Sequence, residues 1–190
     1  MAAEVVLETA RLRLRRFTPD DVDHLVELDS DPEVMRFLTG GRPTPRATVR
    51  DEQLPRLLRQ YDAHPGLGRW AAEDRDSGGF LGWFALDPSD DGTQAELGYR
   101  LRRSTWGRGL ATEGSLALVR HAFDTVGVRR VWAQTMTVNS RSRAVMARAG
   151  LRYVRTFHLH FDDPAPGTEH GEVEYELLRS DWRPSSPGTR

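Results

Sequence analysis

The chain has 190 residues, 38% of them hydrophobic, a formal charge of −1 and no cysteine. That length suits a single domain able to bury a sufficient core without staples. Disulfides, thiolate metal sites and a covalent cysteine acyl-enzyme are excluded, and the near-neutral charge gives no electrostatic reason to expect nucleic acid or an anionic membrane as partner. No apolar run approaches the roughly 18 residues of a membrane span. Met1 to Glu8 carries acids where a secretory signal needs a positive region, so the expected location is the cytoplasm.

Arg11 to Arg15 alternates cleanly and reads as the first strand. Thr18-Pro19-Asp20-Asp21 then supplies an N-cap, a proline at N1 and an acid at N3 for a helix to about Asp29. Asp31-Pro32-Glu33 repeats the signal for a short helix through Leu38, and Thr44-Pro45 opens a third helical stretch, to near Tyr61, which Pro55 should break or kink. Arg69 to Asp74, Phe80 to Leu86 and Ala95 to Arg102, separated by turn-rich clusters, read as an antiparallel meander.

After Gly109 the positions Leu110, Leu116, Leu118, Val119, Ala122 and Phe123 suit an amphipathic helix that stops near Gly127. Arg130 to Thr135 is a strand and Ser140 to Ala149 a helix closed by Gly150. Leu151 to Phe161 and Val173 to Leu178 are two more strands. The pattern is α+β with a mixed sheet, because the late crossovers need parallel neighbours. Residues 1–182 form one expected domain and 183–190 a frayed Pro/Ser/Gly tail.

Between the meander and the next helix stands Trp106-Gly107-Arg108-Gly109-Leu110-Ala111-Thr112-Glu113. A helix N-terminus offers four unpaired N–H groups and about half a positive charge, and flanking glycines let the backbone approach an anion. A diphosphate is a natural ligand; a glycine turn before an ordinary helix, with Glu113 complementing the dipole, is the plain alternative. A P-loop needs a lysine, and all 27 basic residues here are arginine; a dinucleotide-binding turn needs Gly or Ala where Thr112 stands.

Ala95-Glu96-Leu97-Gly98-Tyr99-Arg100-Leu101 followed by Trp106 to Glu113 resembles motif A of the GNAT acetyltransferases, most closely the RimJ/RimL-like branch. Leu7 to Arg15, Val138-Asn139 with Ser142, and Gly150-Leu151 resemble that branch too, so the likeness spans roughly residues 7 to 182. The resemblance implies a mostly antiparallel sheet, splayed at the acyl-CoA site and flanked by helices. It places the pyrophosphate on the amides from Gly107 to Thr112, Arg108, Gly109, Leu110 and Ala111 included, and the pantetheine along Tyr99, Arg100 and Leu101 and on Asn139. Gly98 suits a bulge that opens the splay. Ser104 departs from the family's Gln or Arg three residues before the first glycine.

Acyl transfer to an amine needs a proton acceptor, a polarised carbonyl and an outlet for the thiolate. The resemblance makes Glu96 the base, against the plain reading of a strand acid paired with an arginine. A strand N–H at Tyr99 or Arg100 would stabilise the oxyanion. Where many GNAT enzymes place a donor tyrosine this chain has Met146, so Ser142 becomes the acid candidate, against a role within its own helix turn. Asn139, the only asparagine, suits a helix cap as well as a pantetheine contact.

Arg141, Arg143 and Arg148 are candidates for the CoA phosphates, Arg143 and Arg148 the ones to test first, and exposure to solvent is the alternative. His158 and His160 fall on one face of the expected strand with Asp162 and Asp163 near, but no third ligand stands at a diagnostic spacing, so no metal is expected. Trp70, Trp83 and Trp132 read as core. The expected function is acetyl-CoA-dependent N-acetylation of a protein N-terminal α-amine or a small primary amine by direct transfer. Succinyl-CoA or another acyl-CoA is the alternative donor, and a non-catalytic acyl-CoA sensor the rival of another class. The segments Leu38–Gly68 and Asp162–Glu172 are expected to line the acceptor pocket, and a homodimer is left open.

Overall fold

A computed structural model describes residues 4–183; of the expected tail only Arg183 lies within them. Eight strands form one sheet: β1 (Val5–Glu8), β2 (Leu12–Arg16), β3 (Gly68–Asp74), β4 (Phe80–Pro88), β5 (Gln94–Leu101), β6 (Arg130–Met136), β7 (Arg152–Phe157) and β8 (Glu172–Leu178). Their spatial order is β1-β2-β3-β4-β5-β6-β8-β7, and every neighbouring pair is antiparallel except β5 with β6. The single parallel pair follows from the helical crossover between those two strands. The second crossover also returns in parallel, but β8 inserts between β6 and β7, so it creates no second parallel neighbour.

The α1 helix (Val22–Ser30) is entered through a 3₁₀ turn at Pro19–Asp21, where Asp21 Oδ2 accepts from the Thr18 N–H at 2.7 Å. Next comes α2 (Pro32–Thr39), capped by Asp31 accepting from the Glu33 N–H at 2.9 Å and closed by Gly40 at φ 68°. The third stretch begins with α3 (Arg46–Thr48), widens into a π turn over Val49–Gln53 and continues as α4 (Leu54–Ala63). Pro55 explains the widening: it has no N–H for the carbonyl of Asp51, and its ring would press on that carbonyl. Beyond the meander come α5 (Leu110–His121), running on through a π turn to Gly127 at φ 84°, and α6 (Ser140–Arg148).

The two faces of the sheet carry two cores. Phe84, Leu97, Leu118, Phe123 and Val131 pack under α5, whereas Leu25, Leu28, Leu57, Ala71, Trp83 and Ala85 pack under α1 and α4. Alternation along β5 therefore sorts its side chains: Ala95, Leu97 and Leu101 join the α5 core, and Glu96, Gly98 and Arg100 face the side of α1 and α4.

Several sequence expectations need correction. Val5–Glu8 is a strand, hidden in the sequence because four residues carry too little pattern and its edge pairing with β2 supplies the reason to extend. The strand expected to reach Phe161 ends at Phe157, where its pairing with β8 stops at Glu172, so His158 and His160 lie in a loop and share no strand face. Trp70 and Trp83 are buried, but Trp132 is only half-buried. Leu116 is exposed on the outer side of α5.

Candidate functional site

After β5 a 3₁₀ turn at Arg103–Thr105 brings the chain to Trp106, whose Nε1 donates to the Leu101 carbonyl at 2.9 Å and whose ring lies under the Arg141 guanidinium of α6. Gly107 and Gly109 have φ of 73° and 78°, values that side-chain-bearing residues rarely adopt. These left-handed turns swing the chain into α5, whose first hydrogen bond runs from the Glu113 N–H to the Gly109 carbonyl at 3.0 Å. Among the described residues, no acceptor is engaged by the N–H groups of Gly107, Arg108, Gly109, Leu110, Ala111 or Thr112. Six successive donors at a helix start form a cradle for an anion.

Glu113 does more than complement the dipole. It accepts from Thr9 Oγ1 at 2.6 Å, from the Arg11 N–H at 2.9 Å and from Arg11 Nε at 2.7 Å, while Arg11 Nη1 donates to the Arg108 carbonyl at 2.8 Å. The β1–β2 turn thus braces the loop from behind. Burial works against the charge on Glu113, and the bonds from Thr9 and Arg11 outweigh it, keeping the carboxyl below its usual range.

Next to this loop the sheet opens. β5 and β6 pair only through Gln94↔Arg130, Ala95↔Val131 and Glu96↔Trp132, and past Glu96 they diverge. The expected bulge at Gly98 is absent: the β4–β5 register runs unbroken from Gly82↔Leu101 to Pro88↔Ala95. The opening arises from the divergence of two regular strands. Gly82, at φ 139°, instead marks a close approach, with room for no side chain between it and the Arg100 carbonyl.

On the α5 and α6 side of the opening, Tyr99 meets Ser142. The two hydroxyls are 2.9 Å apart, and the Tyr99 hydroxyl also donates to the Ser142 carbonyl at 3.1 Å. Burial pushes the Tyr99 phenol up to about 12, the Ser142 bond opposing it only in part, so the phenol is a neutral donor at ordinary pH. Asn139 caps α6, accepting from the Ser142 N–H at 3.2 Å, and its amide donates to Thr135 Oγ1 at 3.0 Å. Met146 is buried in the core. Arg143 is engaged with the Thr137 carbonyl at 3.0 Å and the Tyr175 hydroxyl at 3.3 Å, which secures the end of β6.

On the opposite face stands Glu96. Burial, then the charge of Asp87 on the neighbouring strand, raises its carboxyl from 4.5 to about 7; the Arg69 charge and the Gln134 amide pull it back in part. A carboxyl with that value holds or releases a proton near neutrality. Arg69 donates to Asp87 at 2.8 Å and stacks over Trp83 at 4.1 Å. Arg100, on the same face, pairs with buried Asp29 of α1, which also accepts from Thr44 Oγ1 at 2.8 Å. The Arg100 side chain thereby fastens β5 to the helical layer.

The two segments expected to line the acceptor site meet each other: Arg42 pairs with Asp163, and Gly40 packs beside Ala165 and Pro166. Among the described residues no group of three or more His, Cys, Asp or Glu is placed to hold a metal ion, and no helix is long and apolar enough to cross a membrane.

Motif reading singles out Glu96, Ser142, Asn139 and the loop as candidates, and does not point to the Tyr99 hydroxyl, the Asp29–Arg100 pair or the Arg11 brace. The first was within reach, since alternation sets Tyr99 and Glu96 on opposite faces of one strand. The other two join residues 71 and 102 positions apart, and no local pattern records such pairings.

Comparison with known proteins bears on the family and the fold. A family model described as acetyltransferase (GNAT) domain matches residues 11–152. An Aspergillus fumigatus protein named FsC-acetyl coenzyme A-N(2)-transacetylase is 38% identical over 191 residues, covering 95% of this chain and 79% of its own. Among solved structures, the ribosomal L7/L12 alpha-N-protein acetyltransferase RimL in complex with coenzyme A superposes with a TM-score of 0.78 at 17% identity, over 94% of this chain and 99% of that one. The microcin C7 self-immunity acetyltransferase MccE, in complex with acetyl-CoA and AMP, does so with a TM-score of 0.75 at 12% identity, over 90% and 93%.

Proposed function

The chain belongs to the GNAT acetyltransferase family, and on that premise we propose that it transfers an acetyl group from acetyl-CoA directly to the α-amine of a small molecule. The observation that carries this reading is Glu96, a carboxylate poised near neutrality beside the point where β5 and β6 part. The likeness to a relative named FsC-acetyl coenzyme A-N(2)-transacetylase supports acetyl-CoA as donor and a nitrogen as acceptor. An α-amine of pKa about 8 also suits this base, since it needs roughly 3 kcal/mol less help to be neutral than a lysine near 10.4.

The residues present fit acetyl-CoA. The six unengaged amides from Gly107 to Thr112 suit its pyrophosphate, and the diverging backbones of β5 and β6 suit an extended, amide-bearing arm. Acetyl-CoA supplies an activated acyl carbon held as a thioester. Glu96 takes the proton released as the new C–N bond forms. An N–H of β5 at Tyr99 or Arg100 steadies the carbonyl oxygen while the C–S bond breaks. On the far face, Ser142 returns a proton to the departing sulfur and is resupplied by the Tyr99 hydroxyl at 2.9 Å. Base and acid thus act from opposite faces of the sheet, and the opening joins them.

The direct test is thiol release from acetyl-CoA against a panel of amines. Release that depends on an added α-amine supports the reading; tight binding of acetyl-CoA with no accepted amine would favour a sensor. Thr112→Glu tests the cradle. A carboxylate in the first turn suits the helix dipole, so the melting temperature should hold, whereas repulsion of the pyrophosphate should raise KM for acetyl-CoA at least tenfold. An unchanged KM would place the pyrophosphate elsewhere.

The proton route has its own test. If Ser142 and Tyr99 act as one unit, Ser142→Ala and Tyr99→Phe should each lower kcat by about 10-fold or more, and the double variant should fall little further. Fully multiplicative losses would separate the two residues.

A further inference from the structure

A cleft of about 670 Å³ lies between α4 and the end of β4, next to the face that carries Glu96. Arg56 and Arg59 line it from one side of α4, one turn apart, and Arg69, Asp87 and Ser89 line it from the strands, with Asp90 at its rim. Asp87 is the direct cross-strand partner of Glu96, so the cleft begins one strand away from the proposed base. Its charges are unevenly satisfied. Arg69 is committed to Asp87 and to the Trp83 ring, but its Nε is buried without a hydrogen-bond partner among the described residues. Arg56 and Arg59 have no carboxylate within ion-pair distance among those residues.

Two guanidinium groups without an ion-pair partner, side by side on one helix face at a cleft, suit an anion of planar, forked shape. We propose that this cleft takes a carboxylate of the acceptor, so that the molecule acetylated is an amino acid derivative whose carboxylate lies well away from its nucleophilic amine. Strands are about 4.8 Å apart and a helix packs about 10 Å above its sheet, which sets the span from Glu96 to the arginines at roughly 8–12 Å. Three residues of extended chain, at about 3.3–3.6 Å each, cover that span. The inference rests on Glu96 marking the face at which the amine arrives, and it adds the second point of recognition.

Triglycine and triglycine amide are suitable probes, titrated by calorimetry into the protein in the presence of coenzyme A. The carboxylate should bind at least tenfold more tightly than the amide, with a preference that weakens at higher salt. Arg56→Gln together with Arg59→Gln should bring the ratio close to one, and both positions are exposed, so the fold should persist. Equal binding of the two probes, binding of neither, or a preference that survives both substitutions would overturn the proposal. An intact preference without acetyl transfer to any amine would count against the transferase reading and leave the carboxylate site standing; transfer without preference would do the reverse.

Discussion

Replacing Glu96 by Gln should lower kcat by about 10²–10⁴-fold and remove one limb of the pH profile. In the wild type the working form of this base is the carboxylate, so with a pKa of about 7 it should add to the titration of the acceptor amine a limb that rises about tenfold per pH unit below neutrality and levels off above it. The Gln variant should follow only the titration of the acceptor amine. The substitution has a second readout, in stability. Because the folded-state pKa is raised above the usual 4.5, the folded protein holds this proton more tightly than the unfolded chain does, and stability falls as pH rises between the two values. The penalty is absent below about pH 4.5 and complete above about pH 7. Gln carries no such penalty, so the variant should melt higher than the wild type at pH 8 and converge with it near pH 4. Full activity in the variant would remove Glu96 as the base, and identical melting at pH 8 would show that its carboxyl is not strained by burial.

The largest effect on stability is expected at Gly82. A Cβ built there would stand 2.1 Å from the Arg100 carbonyl oxygen and 2.7 Å from the Leu101 Cα, and the residue has φ 139°. Both obstacles are backbone atoms of the neighbouring strand, which cannot turn aside as a side chain would. Gly82→Ala should therefore destabilise the fold by roughly 3 kcal/mol or more and loosen β5 where it leads into the loop at Trp106. Gly98→Ala is the control, because its Cβ would meet the Trp83 ring at 3.4 Å and Ala85 Cβ at 3.5 Å, and its φ is ordinary. It should cost less than about 1 kcal/mol in denaturant unfolding. Similar losses at the two positions would contradict the close approach of β4 and β5.

The contrast between these glycines shows what a sequence can record. Wherever structure is decided by neighbours along the chain, it was legible: Pro19, Asp31, Gly109 and Gly127 mark helix ends by rules of local geometry, and the alternation along β3 to β5 gives the meander. The family motif located the loop from Trp106 to Thr112 and singled out Glu96. A bulge at Gly98 looked plausible because glycine in a strand usually marks one, yet the constraint falls on Gly82, whose need is set by a carbonyl 18 positions away. Likewise Trp132 reads as core by composition, and it is only half-buried. The raised pKa of Glu96 depends first on its burial and then on Asp87, across a register that the sequence does not print.

The divergence of β5 and β6 has a consequence for solubility. Past Glu96 each strand presents to the other a backbone rim without its ladder, and such rims, when they stand at the outside of a sheet, invite strands from other molecules and lead to aggregation. Here the two rims face each other in the interior of the sheet, joined at one end by three paired residues. A narrowing wedge of this kind admits a slender chain bearing a few amides but excludes a pleated strand flanked by side chains. The protein can thus keep hydrogen-bonding capacity in reserve for its ligand without offering it to its own copies.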